Sequence, residues 1–373
     1  PMFRPIIAAI VFFGSPAVSV AQSGGVIDLR SANELKVRTE GGEEVRELIG
    51  NVHFIQTTPA GERVYVWCDR ALRYMARNRI DLFGNVRMMR DSVTLSGPEA
   101  TWFSDVRRAR MLNGVMLRKG PTTLSARTGD YFSDNKIAYF RGEVIVFDEA
   151  STTFADMLTF YEDEDRSVAV GNVRVISDNK TMTIYGDSLI NEERRNYTLV
   201  PLNPRLVQID TTTAGDVDTL VVVSRQMEAF QDTSNRFVAT DSVLLARTDM
   251  SARCREATLE RDRNRIILRG QPVVWHEENQ VSGDSIVVTL RDNRLESVYV
   301  RGRAMAISRT DSTYRDRFDQ LTGRELTLFF EEGKISRIEV ETMATSLYYL
   351  FDGEVPNGVN RSSGDRIVML FAD

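Results

Sequence analysis

Gly171-Asn172-Val173-Arg174-Val175 is the stretch whose pattern returns along the whole chain. Gly50-Asn51-Val52 and Gly84-Asn85-Val86 repeat its first three residues, and Asn113-Gly114-Val115 and Gly142-Glu143-Val144 fall in the same frame. The valines stand at 52, 86, 115, 144 and 173, so the steps are 34, 29, 29 and 29 residues. Further on the anchor degrades but the step persists, at Asp241-Ser242-Val243, Gly270-Gln271-Pro272-Val273 and Gly302-Arg303-Ala304. A fixed period of about thirty residues marks a stacked-repeat architecture, in which each repeat packs mainly on its neighbours.

Each repeat spells two strands. Ser282-Gly283-Asp284 opens a run in which Ile286, Val288 and Leu290 alternate with Ser285, Val287 and Thr289. Arg291-Asp292-Asn293-Arg294 breaks it, and a second alternating run carries Val298, Val300, Gly302, Ala304 and Ala306 on one face. Period-two alternation between Asp/Asn/Arg clusters means half-buried strands joined by hairpin turns. The same turn chemistry recurs at Ser133–Lys136, Glu162–Asp165, Asn191–Arg194 and Arg261–Asn264. Nine such units fit between about 66 and 345, and the expected fold is all-β and antiparallel, with no substantial helix after the leader. Asn203-Pro204-Arg205-Leu206 supplies a missing anchor, residues 210–218 read as a loop between two repeat blocks, and Tyr348 to Ser362 reads as another loop.

Composition narrows the class. Hydrophobic residues make up 42% and charged residues 27%, which excludes a disordered chain and a bundle of membrane helices. The net charge is −6 with Lys and Arg scattered, so no basic footprint for nucleic acid is present. Met2-Phe3-Arg4, an apolar run from Ile6 to Phe13, and Ser19-Val20-Ala21 before Gln22 describe a secretory leader over 1–21, cleaved after Ala21. The expected organisation is therefore a leader, a first repeat domain over 28–209 and a second over 219–373. The second stops in mid-repeat at Asp373, as a fragment of a longer protein would.

Only two cysteines occur, Cys68 and Cys254, in a repeat slot that takes small residues. The counterparts by count are Pro98, Gly129, Ala155, Gly186 and Gly283. Six repeats at one strand spacing each separate the two thiols by about 29 Å, so both are expected reduced and buried. Two histidines, His53 and His276, lie in separate blocks and make no metal site. Acidic residues fall in every turn and no nucleophile elbow, phosphate loop or dinucleotide fingerprint is present, so no enzyme and no cofactor is expected. Trp67, Trp102 and Trp275 are expected to line the core or a groove.

The registered series resembles the OstA-like family, the periplasmic lipopolysaccharide-transport proteins of the LptA type and the N-terminal domain of their outer-membrane partner. Leu48-Ile49-Gly50-Asn51-Val52, Ile80 to Val86 and Val168 to Val173 carry the resemblance, with Leu347-Tyr348-Tyr349, Gly358-Val359-Asn360 and Gly364-Asp365 towards the end. It implies a twisted β-jellyroll with an apolar interior that shields acyl chains, periplasmic and engaged in lipopolysaccharide transport to the outer membrane. The parity of the strands agrees, because two sheets with apolar inner faces either close into a dry core or hold something apolar. The expected groove residues are Ile80, Leu82, Val86, Met88, Phe140, Val144 and Val146 on the return strands. They continue with Leu158, Phe160, Val173, Val175, Ile286, Val288 and Leu290. Expected partners are lipopolysaccharide or a similar acylated lipid, and other OstA-like proteins joined head to tail by strand addition at open edges. The competing reading is an exported structural scaffold or adhesin with a filled core. The two differ in whether the space between the sheets is open.

Overall fold

The computed structural model describes residues 26–57, 63–90, 92–211, 217–230, 235–248, 250–276, 278–291, 294–310, 316–331, 334–353 and 355–371. The expected leader lies outside them. The chain divides into two compact units, Pro1–Thr198 and Leu199–Asp373. Among the described residues the strands pair antiparallel in both units, and the helical content is three single 3-10 turns, at Glu162–Glu164, Glu193–Arg195 and Arg261–Arg263. The fold is all-β, the antiparallel hairpin repeats that the period predicts and the jellyroll class that the family resemblance implies.

The anchors are bends. In the strand Arg166–Ser177 the pairing with Ser151–Tyr161 and with Met182–Glu192 slips by one residue at Gly171-Asn172. Both residues hold left-handed backbone, at φ +81° and +47°. Two consecutive left-handed residues turn the strand so that its halves belong to different sheets, while alternation keeps Ala169, Val173 and Val175 all facing inward. The same pair of positive φ values recurs at Gly50-Asn51, Gly84-Asn85, Gly142-Glu143, Gly270-Gln271 and Gly302-Arg303. It persists without glycine at Asp241-Ser242 and at Thr342-Met343. Asn203, the suspected missing anchor, has φ +46°.

In the N-terminal unit the bends generate two facing sheets. One carries the inner row Leu48, Ala71, Leu82, Ala100, Met111, Gly129, Phe140, Leu158, Ala169 and Leu189, each paired directly with the next. The other carries Phe54, Val66, Met88, Leu95, Leu117, Leu124, Val146, Thr153, Val175 and Ile184. Except at the pair Phe140 and Leu158, large and small side chains alternate along the first row, which lets the second row interlock with it.

Register corrects three expectations. The small residue opposite each anchor valine is Cys68, Gly97, Ala126, Ala155, Gly186 and Cys254, so the slot holds Gly97 and Ala126 rather than Pro98 and Gly129. Tyr348 to Ser362 is not a loop: Lys334–Asp352 and Val355–Leu370 form a long hairpin, paired from Arg337↔Leu370 to Asp352↔Val355. Asp210 and Asp218 lie in the strands Arg205–Thr211 and Val217–Val223, which pair with each other, and residues 212–216 lie outside the described set.

A candidate lipid-binding interior

Inward parity places Leu82, Val86, Met88, Phe140, Val144, Val146, Leu158 and Phe160 in one buried cluster in the N-terminal unit, with Ile80 packed partly buried against it. Val173 and Val175 are buried on the same inner faces. Here the space between the sheets is filled. Phe160 and Leu117 are 1% and 0% exposed, and a cavity of about 30 Å³ remains beside Met88, Met111 and Phe140, room for a single water.

The C-terminal unit differs. Its inner row nearest the hairpin turns of one sheet is Leu259, Ile266, Val288, Val298, Leu328, Ile338 and Met369, each paired with the next. Every member is apolar. Solvent nevertheless reaches Leu259, Ile266, Val288, Val298 and Met369, which are half-buried, as is Leu290. Ile286, one row deeper, is fully buried against Leu268 and Val300. The expected groove residues therefore form two sets, one sealed and one accessible.

Charge is arranged at the margins. Glu162, in the 3-10 turn after Ser151–Tyr161, accepts a hydrogen bond from the Tyr131 hydroxyl at 3.0 Å. Burial pushes its carboxyl up to about 7, although Arg90 and Lys136 act in the opposite direction. Asp148 accepts from the N–H groups of Ala150 and Ser151 and closes the turn before Ser151–Tyr161, and burial raises its pKa as well. On the outer face Asp130 lies beneath Arg108, Arg110 and Arg141, with contacts of 2.6, 3.0 and 3.2 Å. That carboxylate is buried only because three guanidinium groups compensate it.

The remaining candidates separate cleanly. Cys68 and Cys254 are both free and buried, and desolvation pushes their thiols to about 12 and about 11, so neither is a nucleophile. His53 stacks on Trp67 with centroids 4.8 Å apart, and Arg87 covers the same indole. Trp67 sits between the inward Val66 and Cys68, so it faces outward and does not line the core. Trp275 is also outward, its Nε1 donating to Gln280 Oε1. Trp102 alone packs on the core. Among the described residues no group of three metal-ligating side chains is present.

Two family models match the chain. One, described as OstA-like protein, covers residues 25–153. The other, described as LptA/(LptD N-terminal domain) LPS transport protein, covers residues 123–294. No curated protein matches. Among solved structures the chain is similar to LptH of Pseudomonas aeruginosa, described as the LptA homologous periplasmic component of the lipopolysaccharide transport device. That similarity has 15% identity over 54% of this chain and 93% of the other, with a TM-score of 0.15, too low to carry weight for the fold. The repeat register, the bent antiparallel strands and the two overlapping matches, which together run from residue 25 to residue 294, place the chain in the OstA-like family of lipopolysaccharide-transport proteins.

Proposed function

We propose that the protein is a non-enzymatic periplasmic carrier that shields acyl chains between its sheets during lipopolysaccharide transport to the outer membrane. The observation that carries this reading is the uninterrupted apolar row from Leu259 to Met369, inward-facing yet reached by solvent at five of its seven members, Leu328 and Ile338 being buried. Each methylene buried against such a surface gains about 0.8 kcal/mol. Open strand edges support association with other OstA-like domains. Among the described strands, Val355–Leu370 pairs only with Lys334–Asp352, while Val26–Ser31 and Glu34–Glu40 pair only with Glu43–Thr57. Leu35 and Val37 at one edge and Phe371 at the other are exposed.

The filled N-terminal interior favours a second reading for that unit, a rigid scaffold with a dry core. A benzophenone side chain at Val298, and another at Val146, tests both in a Gram-negative envelope. The carrier reading expects lipopolysaccharide captured from Val298. Capture from neither position would leave the scaffold reading for the whole chain.

A further inference from the structure

The sheet that faces the apolar row in the C-terminal unit has a different chemistry at the same distance from the bends. Its deeper inner row is apolar or small, with Val274 paired to Val281, Val281 to Ala306, and Ala306 to Leu321. Two residues further along each strand the row becomes His276, Asn279 and Ser308, each paired with the next, and Ser308 pairs with Asp319. Tyr348 follows on the next strand, where the N–H of Tyr349 donates to Asp319 Oδ1 at 3.0 Å, and Tyr348 pairs with Asn360. Six consecutive cross-strand neighbours are polar.

That row faces the interior. The Tyr348 hydroxyl donates to the Met369 sulfur at 2.8 Å, and Met369 belongs to the apolar row of the opposite sheet. Asn279, Ser308, Asp319 and Tyr348 are half-buried, and His276 and Asn360 are exposed. The corresponding N-terminal positions include Arg90, Asp148, Ser151 and Ser177, all less than a tenth exposed. Polar groups thus stand at this level in both units, but only in the C-terminal one are they open to a ligand.

We propose that these opposed rows form an amphipathic cleft that holds the junction of an acylated saccharide, and this rests on the carrier reading above. The acyl chains lie along Leu259, Ile266, Val288 and Val298. Sugar hydroxyls and amides meet the other wall, where Asn279, Asn360 and His276 offer both donors and acceptors and the Asp319 carboxylate accepts. Asp319 also accepts from Thr310 Oγ1 at 3.1 Å, so it is held in place for that task. A bare fatty acid uses only the apolar wall.

The test uses the whole chain and two probes, lipopolysaccharide and a fluorescent twelve-to-eighteen-carbon fatty acid. Asn279→Leu with Ser308→Val removes the middle of the polar row. Asn360→Leu removes its end on an exposed edge strand, where packing is not disturbed. Losing a hydrogen bond to a sugar is worth about tenfold in affinity. The expected result is a loss of about tenfold or more for lipopolysaccharide in both variants, with fatty-acid binding unchanged. Equal losses for both probes, or no loss for lipopolysaccharide, would overturn the cleft while leaving the carrier reading intact. Failure of the parent chain to bind either probe would overturn the two together.

Discussion

At Gly171 the bend requires glycine twice over. Gly171 has a left-handed backbone, and a Cβ on it would overlap the Asp156 carboxylate, which crosses the bend to accept from Asn172 Nδ2 at 2.8 Å. Asp69, Gly84 and Asn85 repeat the arrangement, again at 2.8 Å. At Gly142 the partners are exchanged: Arg127 stands in the acidic slot and pairs with Glu143. Gly171→Ala is expected to cost about 2 kcal/mol from the backbone alone, with more from the overlap. Asp156→Ala in the same chain should recover the part of the overlap that the carboxylate makes, but neither the contact with its own Cβ nor the backbone part. Chemical denaturation of the three chains measures it, and a single-variant loss under half a kcal/mol would contradict the account. Glu162 gives a second residue-level expectation. Its folded pKa, about 7, lies above the ordinary 4.5, so the folded chain keeps a proton that the unfolded chain releases between those values. Stability from this group is therefore lost as pH rises through that window, and the loss is complete above pH 7. Glu162→Gln keeps the partner for Tyr131 and should stabilise by about 1 kcal/mol at pH 8. Near pH 4 it should change nothing, and equal effects at both values would exclude burial as the cause.

The period was legible at the scale of the hairpin because each bend spends two left-handed residues, which favour Gly and Asn, at a fixed place. Inward parity was legible for the same reason, since alternation passes unbroken through Gly171. Pro98 and Gly129 are small residues close to the true slot residues Gly97 and Ala126, so composition alone does not tell them apart. The side chain that crosses the bend stands 15 residues before the glycine at Asp69, Arg127, Asp156 and Arg255, and that offset identifies Ala126 directly. The last hairpin was hidden by Asp352-Gly353 and Pro356-Asn357-Gly358, which resemble loop chemistry. Pro356 is tolerated because its strand lies at an edge among the described strands, where a missing N–H breaks no second ladder. That edge gives the element-scale expectation. Deleting residues 363–373 removes Ile367 and Met369, which pair with Val340 and Ile338, and with them the surface for strand addition. Sedimentation across a concentration series should show oligomers for the intact chain that shorten on deletion. A monomer in both cases would contradict end-to-end association, though not the interior.

Openness belongs to the whole molecule and was not legible, because it depends on the distance between sheets rather than on the pattern within a strand. Phe160 and Val288 occupy equivalent inward positions, four residues past Asp156 and Asp284, yet the first is 1% exposed and the second half-buried. The central claim is that acyl chains lie against the inner faces, and neighbouring residues on one strand provide its control. Val298 faces inward with Val288 and Leu328, whereas Tyr299 pairs with Val287 and Thr327 on the outer face. A nitroxide label at each position in turn, in a chain with Cys68 and Cys254 replaced by alanine, reports the mobility of that site by electron paramagnetic resonance. On addition of lipopolysaccharide the account predicts immobilisation at 298 and an unchanged spectrum at 299. Unchanged spectra at both, or immobilisation at 299 alone, would contradict it.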